Sequence, residues 1–282
     1  MNMTLKELAC VSLMGVLFCT GCGQAQQTAV TAEKETSAHS ENEISSKPSD
    51  AETVDKTDYG TAELDEGNVN TGEKGEDDLA ATLLYQGHGS VRIVTGEGKV
   101  IYIDPFMGDG YDLPADLILM THGHYDHTRE ELISEKNEGC NIIKWSDALK
   151  NGEYQDYDLG FVSVETVEAG YNENHNVSEC VGYILTFSDG VKAYFSGDTS
   201  TTPSMAGFAD KNIDYAFLCC DGVYNMDADE ASECAKLIGA KHTIPYHMEP
   251  VKDNSGFDMS VAERFDAPGK IIVEPGEELV LK

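Results

Sequence analysis

The apolar run Leu117-Ile118-Leu119-Met120 continues without a break into Thr121-His122-Gly123-His124-Tyr125-Asp126-His127. Three imidazoles and a carboxylate within six positions at the end of a strand are metal-ligand chemistry. The whole chain holds eight histidines, so gathering three here serves no packing purpose. In an extended chain residues i and i+2 point to one side, which lets His122 and His124 converge on one ion. Gly123 between them removes a side chain where the backbone must turn tightly. Asp126 and His127 lie beyond the turn, where the chain leads into a helix, and would face a second ion. Whatever this chain folds into must present that strand end to metal.

Composition divides the rest of the chain. Residues 1–22 resemble an export signal, with Lys6 ahead of an apolar core from Leu8 to Phe18 that is too short to span a bilayer. The core ends in Cys19-Thr20-Gly21-Cys22-Gly23, which resembles a lipobox with Cys22 as the acylated residue; Cys19 stands where such motifs usually carry Leu. Residues 23–80 carry 15 Asp and Glu against 4 Lys and one aromatic, Tyr59. Such a stretch cannot offset its ordering entropy by burial and is expected to be a disordered acidic tether, with His39 inert within it. The expected location is therefore outside the cytoplasm, with the protein held to the membrane through its lipid anchor.

Residues 81–282 are expected to form one domain. The formal net charge of the chain is −32, and the folded part remains strongly acidic after the tether is set aside. A surface of that sign repels polyanions and argues against nucleic-acid substrates. Five cysteines fall in this region, without a CxxC spacing, so a thiolate zinc site is not expected. Strands are predicted over 91–95, 99–104, 116–121, 161–167, 181–187, 191–195, 213–219 and 270–273. Turns at Thr95-Gly96-Glu97-Gly98 and Ser188-Asp189-Gly190 suggest hairpins. Helices are predicted over 128–137, 227–239 and 259–265. Hairpins first, then strands alternating with helices, suggest an α/β fold of two sheets face to face with helices outside.

The HxHxDH run, within this pattern, resembles the signature of the metallo-β-lactamase superfamily. The resemblance implies an αββα four-layer sandwich with a dinuclear site at one edge of the sheets. It implies that His122, His124, Asp126, His127, His175, Asp198 and His247 bind metal. His242 lies five residues before His247, and strand alternation favours neither; the family's Pro two residues before the histidine favours His247. Asp104, in Tyr102-Ile103-Asp104-Pro105-Phe106, is similar to the family's upstream acidic strand end. His88, in Gly87-His88-Gly89, resembles a Gly-His motif of the lactonase-like branch, the branch of ascorbate-6-phosphate lactonase and N-acylphosphatidylethanolamine phospholipase D. Both Asp104 and His88 are expected behind the ligands or facing the substrate.

The implied cofactors are two divalent ions. Nitrogen and oxygen ligands suit zinc, with manganese or iron compatible with the same set. Two such ions outweigh the carboxylates of Asp126 and Asp198, which suits polarised carbonyl and phosphoryl groups. Asp126 would orient the attacking water and shuttle its proton. The implied activity is hydrolysis of a small ester, lactone, amide or phosphodiester. A membrane-associated phospholipid phosphodiesterase and a non-catalytic metal-binding lipoprotein are the alternatives. On oligomeric state the sequence is silent.

Overall fold

The computed structural model describes residues 79–249, 251 and 256–282. The expectations for residues 1–22, for Cys22 and His39, and for the tether as far as residue 78 lie outside the described residues. The chain forms β1 (Ala81–Gly87), β2 (Ser90–Val94), β3 (Val100–Ile103), β4 (Ala115–Leu119) and β5 (Lys136–Ile143), then α1 (Trp145–Ala148). A ribbon of β6 (Leu149–Lys150) and β7 (Glu153–Tyr154) follows. Next come β8 (Tyr157–Asp158), β9 (Val162–Glu168), β10 (Val181–Phe187), β11 (Lys192–Phe195) and β12 (Tyr215–Cys219). The chain finishes with α2 (Ala228–Ile238), β13 (His242–Tyr246), α3 (Ser260–Arg264) and β14 (Glu278–Leu281).

Two six-stranded sheets result, in the orders β14-β1-β2-β3-β4-β5 and β13-β12-β11-β10-β9-β8. Both are mixed: β3, β4 and β5 run parallel in the first, and β11, β12 and β13 in the second. Both expected hairpins form, β2 with β3 and β10 with β11. Period-two alternation sets the layers. Ile101, Ile103, Leu117 and Leu119 face the central core with Tyr183, Leu185, Phe195 and Phe217 of the other sheet. Their neighbours Val100, Tyr102, Ile118 and Met120 face the opposite side. Buried on both faces, β4 is apolar at every position but Asp116, whose carboxylate accepts Val100 N–H from the neighbouring strand.

Helix α2 covers the second sheet through Ala228, Ala231, Cys234, Ala235 and Ile238, spaced along one stripe. The Asp227 side chain accepts the Glu230 N–H at its start, and Gly239, at φ 67°, ends it. Over the first sheet the outer layer is different. Residues 128–137 were expected to be a helix, but they form a 3-10 turn at Glu130–Leu132 and then the start of β5. The backbone donors explain this: Arg129 N–H goes to Pro105 O and Ser134 N–H to Tyr111 O, not to carbonyls four residues back. The apolar outer face of this sheet is thus capped by Tyr111 and Ile133 from irregular segments. The expected strand at 270–273 reduces to one bridge, Thr243 to Lys270. Instead β14 completes the sheet beside β1.

Candidate metal centre

Parallel strands deliver the site. Asp104 follows β3, residues 121–127 follow β4, Asp198 follows β11, and His247 follows β13. Mixed sheets collect ligands at the carboxyl ends of their parallel strands, where the loops of neighbouring strands meet. His175 comes from the β9–β10 loop and His88 from the β1–β2 turn. All seven residues expected to bind metal, with Asp104 and His88, are thereby brought to one edge of the two sheets.

Two ligand sets are resolved. His122, His124 and His175 form a triangle with ring centroids 4.6, 4.9 and 5.0 Å apart. Their ligand atoms lie within 4.8 Å of one another. His127 and His247 form the second set with His88 beside them, the Nε2 atoms of His127 and His247 being 3.3 Å apart. Asp198 lies between the two. Its Oδ1 is 3.1 Å from His247 Nε2 and 3.4 Å from His127 Nε2, and its Oδ2 is 3.3 Å from His175 Nε2. The Nε2 atoms of His122 and His175 are buried without a hydrogen-bond partner. Buried nitrogens left unpaired in a cluster of imidazoles fit a divalent cation and little else.

Hydrogen bonds on the far side of the rings fix which nitrogen is offered. Asp104 is fully buried; its Oδ1 accepts Thr121 N–H at 2.7 Å, and its Oδ2 accepts the Thr121 hydroxyl at 2.6 Å and His127 Nδ1–H at 2.9 Å. With its hydroxyl proton so committed, Thr121 Oγ1 accepts from His122 Nδ1 at 3.1 Å. Asn172 Oδ1 accepts from His175 Nδ1 at 3.1 Å. In all three rings the proton sits on Nδ1 and the Nε2 lone pair faces the cluster. Asp104 thus orients ligands and does not face substrate. His88 Nε2 lies 3.1 Å from Asp126 Oδ2, and the His88 ring packs against His247 at a centroid distance of 3.7 Å, tilted by 39°. Asp126 is therefore held by His88 and lines the adjoining cavity. His88, Asp104 and His247 all adopt left-handed backbone with φ of 53°, 46° and 53°, three of the six non-glycine residues that do so among the described residues.

Gly123 has a reason other than the expected turn. Its φ is not in the left-handed region; a Cβ there would lie 2.7 Å from Trp145 Cζ2. A Cβ at Gly89 would likewise meet His127 Cε1 at 2.9 Å. Each of these glycines clears space for a ring, one beside the first ligand set and one beside the second. His242 is no ligand: it opens β13 and stacks on Tyr215 with centroids 4.9 Å apart. All five cysteines among the described residues are free.

Asp221 and Asn225 escaped the sequence reading. Asp221 follows β12, its Oδ2 lies 3.5 Å from His247 Nδ1, and its Oδ1 accepts the N–H groups of Val223, Tyr224 and Asn225. Asn225 Nδ2 donates to Asp221 Oδ2 at 2.7 Å and to Asp198 Oδ2 at 2.8 Å. A signal for Asp221 existed: like Asp104 and Asp198, it is an acid just past an apolar strand. Asn225 and Asn172 have no such local mark.

The electrostatics follow from burial and these pairings. Burial first, then the charges of neighbouring imidazoles, pushes His122 down to about 2, and burial also lowers His175; both rings are neutral and free to bind. Burial opposes charge on His127 and His247, but Asp198 outweighs it and raises both. Burial likewise opposes ionisation of Asp198, and the charges of His247 and His127 hold it well below the usual carboxylate range. For Asp126, the hydrogen bond from His88 and the charge of His127 overcome burial and lower it too. A cation bound between the two rings would satisfy the same attraction of Asp198 through their ring nitrogens.

Beside the cluster is a cavity of about 500 Å³, whose floor includes His124, Asp126, His175, Asp198 and His247. The profile of the Beta-lactamase superfamily domain matches residues 82–247, from the first strand of the first sheet to the last expected ligand. The chain belongs to this superfamily. As a metallo-β-lactamase-fold protein it is 31% identical over 229 residues to a UPF0173 metal-dependent hydrolase of Geobacillus sp., covering 71% of this chain and 99% of the relative. It is 29% identical over 227 residues to a UPF0173 metal-dependent hydrolase of Thermococcus kodakarensis, covering 71% and 99%. The structure of a metallo hydrolase from Ignicoccus hospitalis shares the fold at 20% identity, with a TM-score of 0.56 over 72% of this chain and 99% of that one. The protein is a metal-dependent hydrolase of the metallo-β-lactamase superfamily, and the two facing sheets expected from the sequence are its fold.

Proposed function

We propose that this hydrolase works with two divalent ions, most simply zinc, against a small ester, lactone, amide or phosphodiester. The supporting observation is the placement of Asp198, whose two oxygens face different imidazole sets. His122, His124 and His175 would hold one ion and His127, His247 and Asp126 the other, with Asp198 shared. Ions so bound would supply acidified water and polarise the substrate oxygen. The chain's own residues do the rest. His88 donates to Asp126 Oδ2 and fixes the carboxylate, which is ionised and would orient the attacking water beside the second ion. Asn225 bridges Asp198 and Asp221 and fixes the orientation of both carboxylates. No serine or cysteine nucleophile is needed.

Elemental analysis of the metal-reconstituted protein should find about two ions per chain. His122→Ala combined with His124→Ala should lose one ion and hydrolysis of a panel of lactones, phosphodiesters and acyl-amides. Unchanged metal content in that variant would refute the assignment. The Asp104-Pro105-Phe106 and Gly87-His88 motifs support placement in the lactonase-like branch. The apolar core ending at Cys22 supports an exported, lipid-anchored protein; labelling with a fatty acid, abolished by Cys22→Ala, would test this.

A further inference from the structure

The walls of the cavity differ from its floor. Tyr125, Val223 and Tyr224 line it while remaining 65%, 51% and 62% exposed, with Met248 deeper in. Among the described residues that line it there is no Lys or Arg; the charged groups are the carboxylates of Asp126, Asp198, Asp221 and Glu249, with the histidines. The nearby Arg129 is engaged elsewhere: its guanidinium stacks on the Tyr125 ring at 4.8 Å and bonds the Tyr125 hydroxyl and Glu131.

These apolar side chains are exposed, yet their backbone is fastened. The N–H groups of Val223 and Tyr224 are tied to Asp221, and Tyr224 O accepts from Asn174 Nδ2 at 3.2 Å. Asn225, next in sequence, binds Asp198 itself. Tyr125 sits between His124 and Asp126 in the same way. The wall is therefore carried on the segments that carry the ligands, and an apolar surface held rigid in water beside a reactive centre is built to be covered.

We infer that the substrate is an ester or amide whose acyl part is apolar and uncharged, seated against Tyr125, Val223 and Tyr224, and that an acyl chain ending in a negative charge is disfavoured. This rests on the hydrolytic reading above and narrows it. Away from the metal ligands, a charged acyl chain would meet Asp221 and Glu249 and no Lys or Arg among the described lining residues, in a protein of net charge −32. An apolar acyl chain gains from each methylene it buries on the wall.

The test uses the full chain, reconstituted with zinc, and calorimetric titration with three hydroxamates: acetohydroxamate, hexanohydroxamate, and adipic acid monohydroxamate, which has the same chain length ending in a carboxylate. Hexanohydroxamate should bind at least about tenfold more tightly than either of the others, since four methylenes even partly buried give that factor. Val223→Ala combined with Tyr224→Ala should bring hexanohydroxamate to within about threefold of acetohydroxamate. Equal binding of all three, tightest binding of the adipic compound, or an unchanged preference in the double variant would overturn the inference. A parallel assay compares 4-nitrophenyl hexanoate with bis(4-nitrophenyl) phosphate. Faster turnover of the phosphodiester overturns the inference and leaves the hydrolytic reading intact. Discrimination among hydroxamates with no turnover of either compound upholds the apolar wall and refutes the hydrolytic reading.

Discussion

Replacing Asp104 with Asn should weaken metal binding without unfolding the protein, although Asp104 touches no ion. The carboxylate accepts three hydrogen bonds, and one of its oxygens serves both Thr121 Oγ1 and His127 Nδ1. Asn has one accepting oxygen and one donating nitrogen. Thr121 N–H is a rigid backbone donor 2.7 Å away, so the amide oxygen must take that side. The amide nitrogen then faces His127 Nδ1, which can only accept, and the ring proton moves to Nε2. That nitrogen is the one facing Asp198 and His247 at 3.4 and 3.3 Å, and its lone pair is no longer available. Loss of a partner that orients a metal-binding imidazole costs about 10–100-fold in metal affinity, or roughly 1.4–2.7 kcal/mol. Competition against a chromophoric zinc chelator measures the affinity, and nitrogen-15 imidazole spectra of the apo-protein report the tautomer. Asp104→Asn binding zinc within threefold of the parent, with the His127 proton still on Nδ1, would refute the reasoning.

Other perturbations act through the same kinds of contact. Gly123→Ala should destabilise the fold by about 1–3 kcal/mol in urea unfolding, because its Cβ would lie 2.7 Å from the Trp145 ring. Asn225→Ala should lower zinc affinity about tenfold and speed amide exchange across residues 222–226, since one amide group ties Asp221 to Asp198. Asp116 accepts Val100 N–H at 2.9 Å and Lys99 Nζ at 3.0 Å; burial opposes its ionisation, but these bonds prevail and lower it. A lowered folded value means that its contribution is complete above the ordinary carboxylate value of about 3.9 and fades as pH falls through the folded one. Asp116→Asn should therefore melt below the parent at pH 7, consistent with a loss of about 1–3 kcal/mol. The gap should narrow steadily below pH 4, which a Tm series across pH would show.

Much of the site was legible because its ligands obey a local grammar. His122 to His127, Asp104, Asp198 and His247 each come closely after an apolar strand, and a strand end is recognisable from sequence. The hydrogen bonds that set the tautomers were less so: Asn172 and Asn225 act across turns that carry no distinctive spacing. His88 was recognisable as part of a Gly-His motif, yet its bond to Asp126 joins residues 38 positions apart. The misread helix at 128–137 has the same origin. Its residues favour a helix locally, but the 105–111 loop takes their backbone donors and the free edge of β4 recruits the next segment of chain as β5. The strand β14 was missed because four residues give little periodic signal, while its pairing with β1 supplies the order.

That last pairing has a practical consequence. Ala81 lies opposite Leu281, so the polypeptide enters and leaves the domain side by side on one sheet edge. From there β1 runs its full length before reaching His88, a span of roughly 20 Å at about 3.3 Å per residue. Both ends of the domain are thus handles at a distance from the cleft. A fusion partner, a fluorescent label or a solid support joined before Ala81 or after Lys282 should leave substrate entry unobstructed.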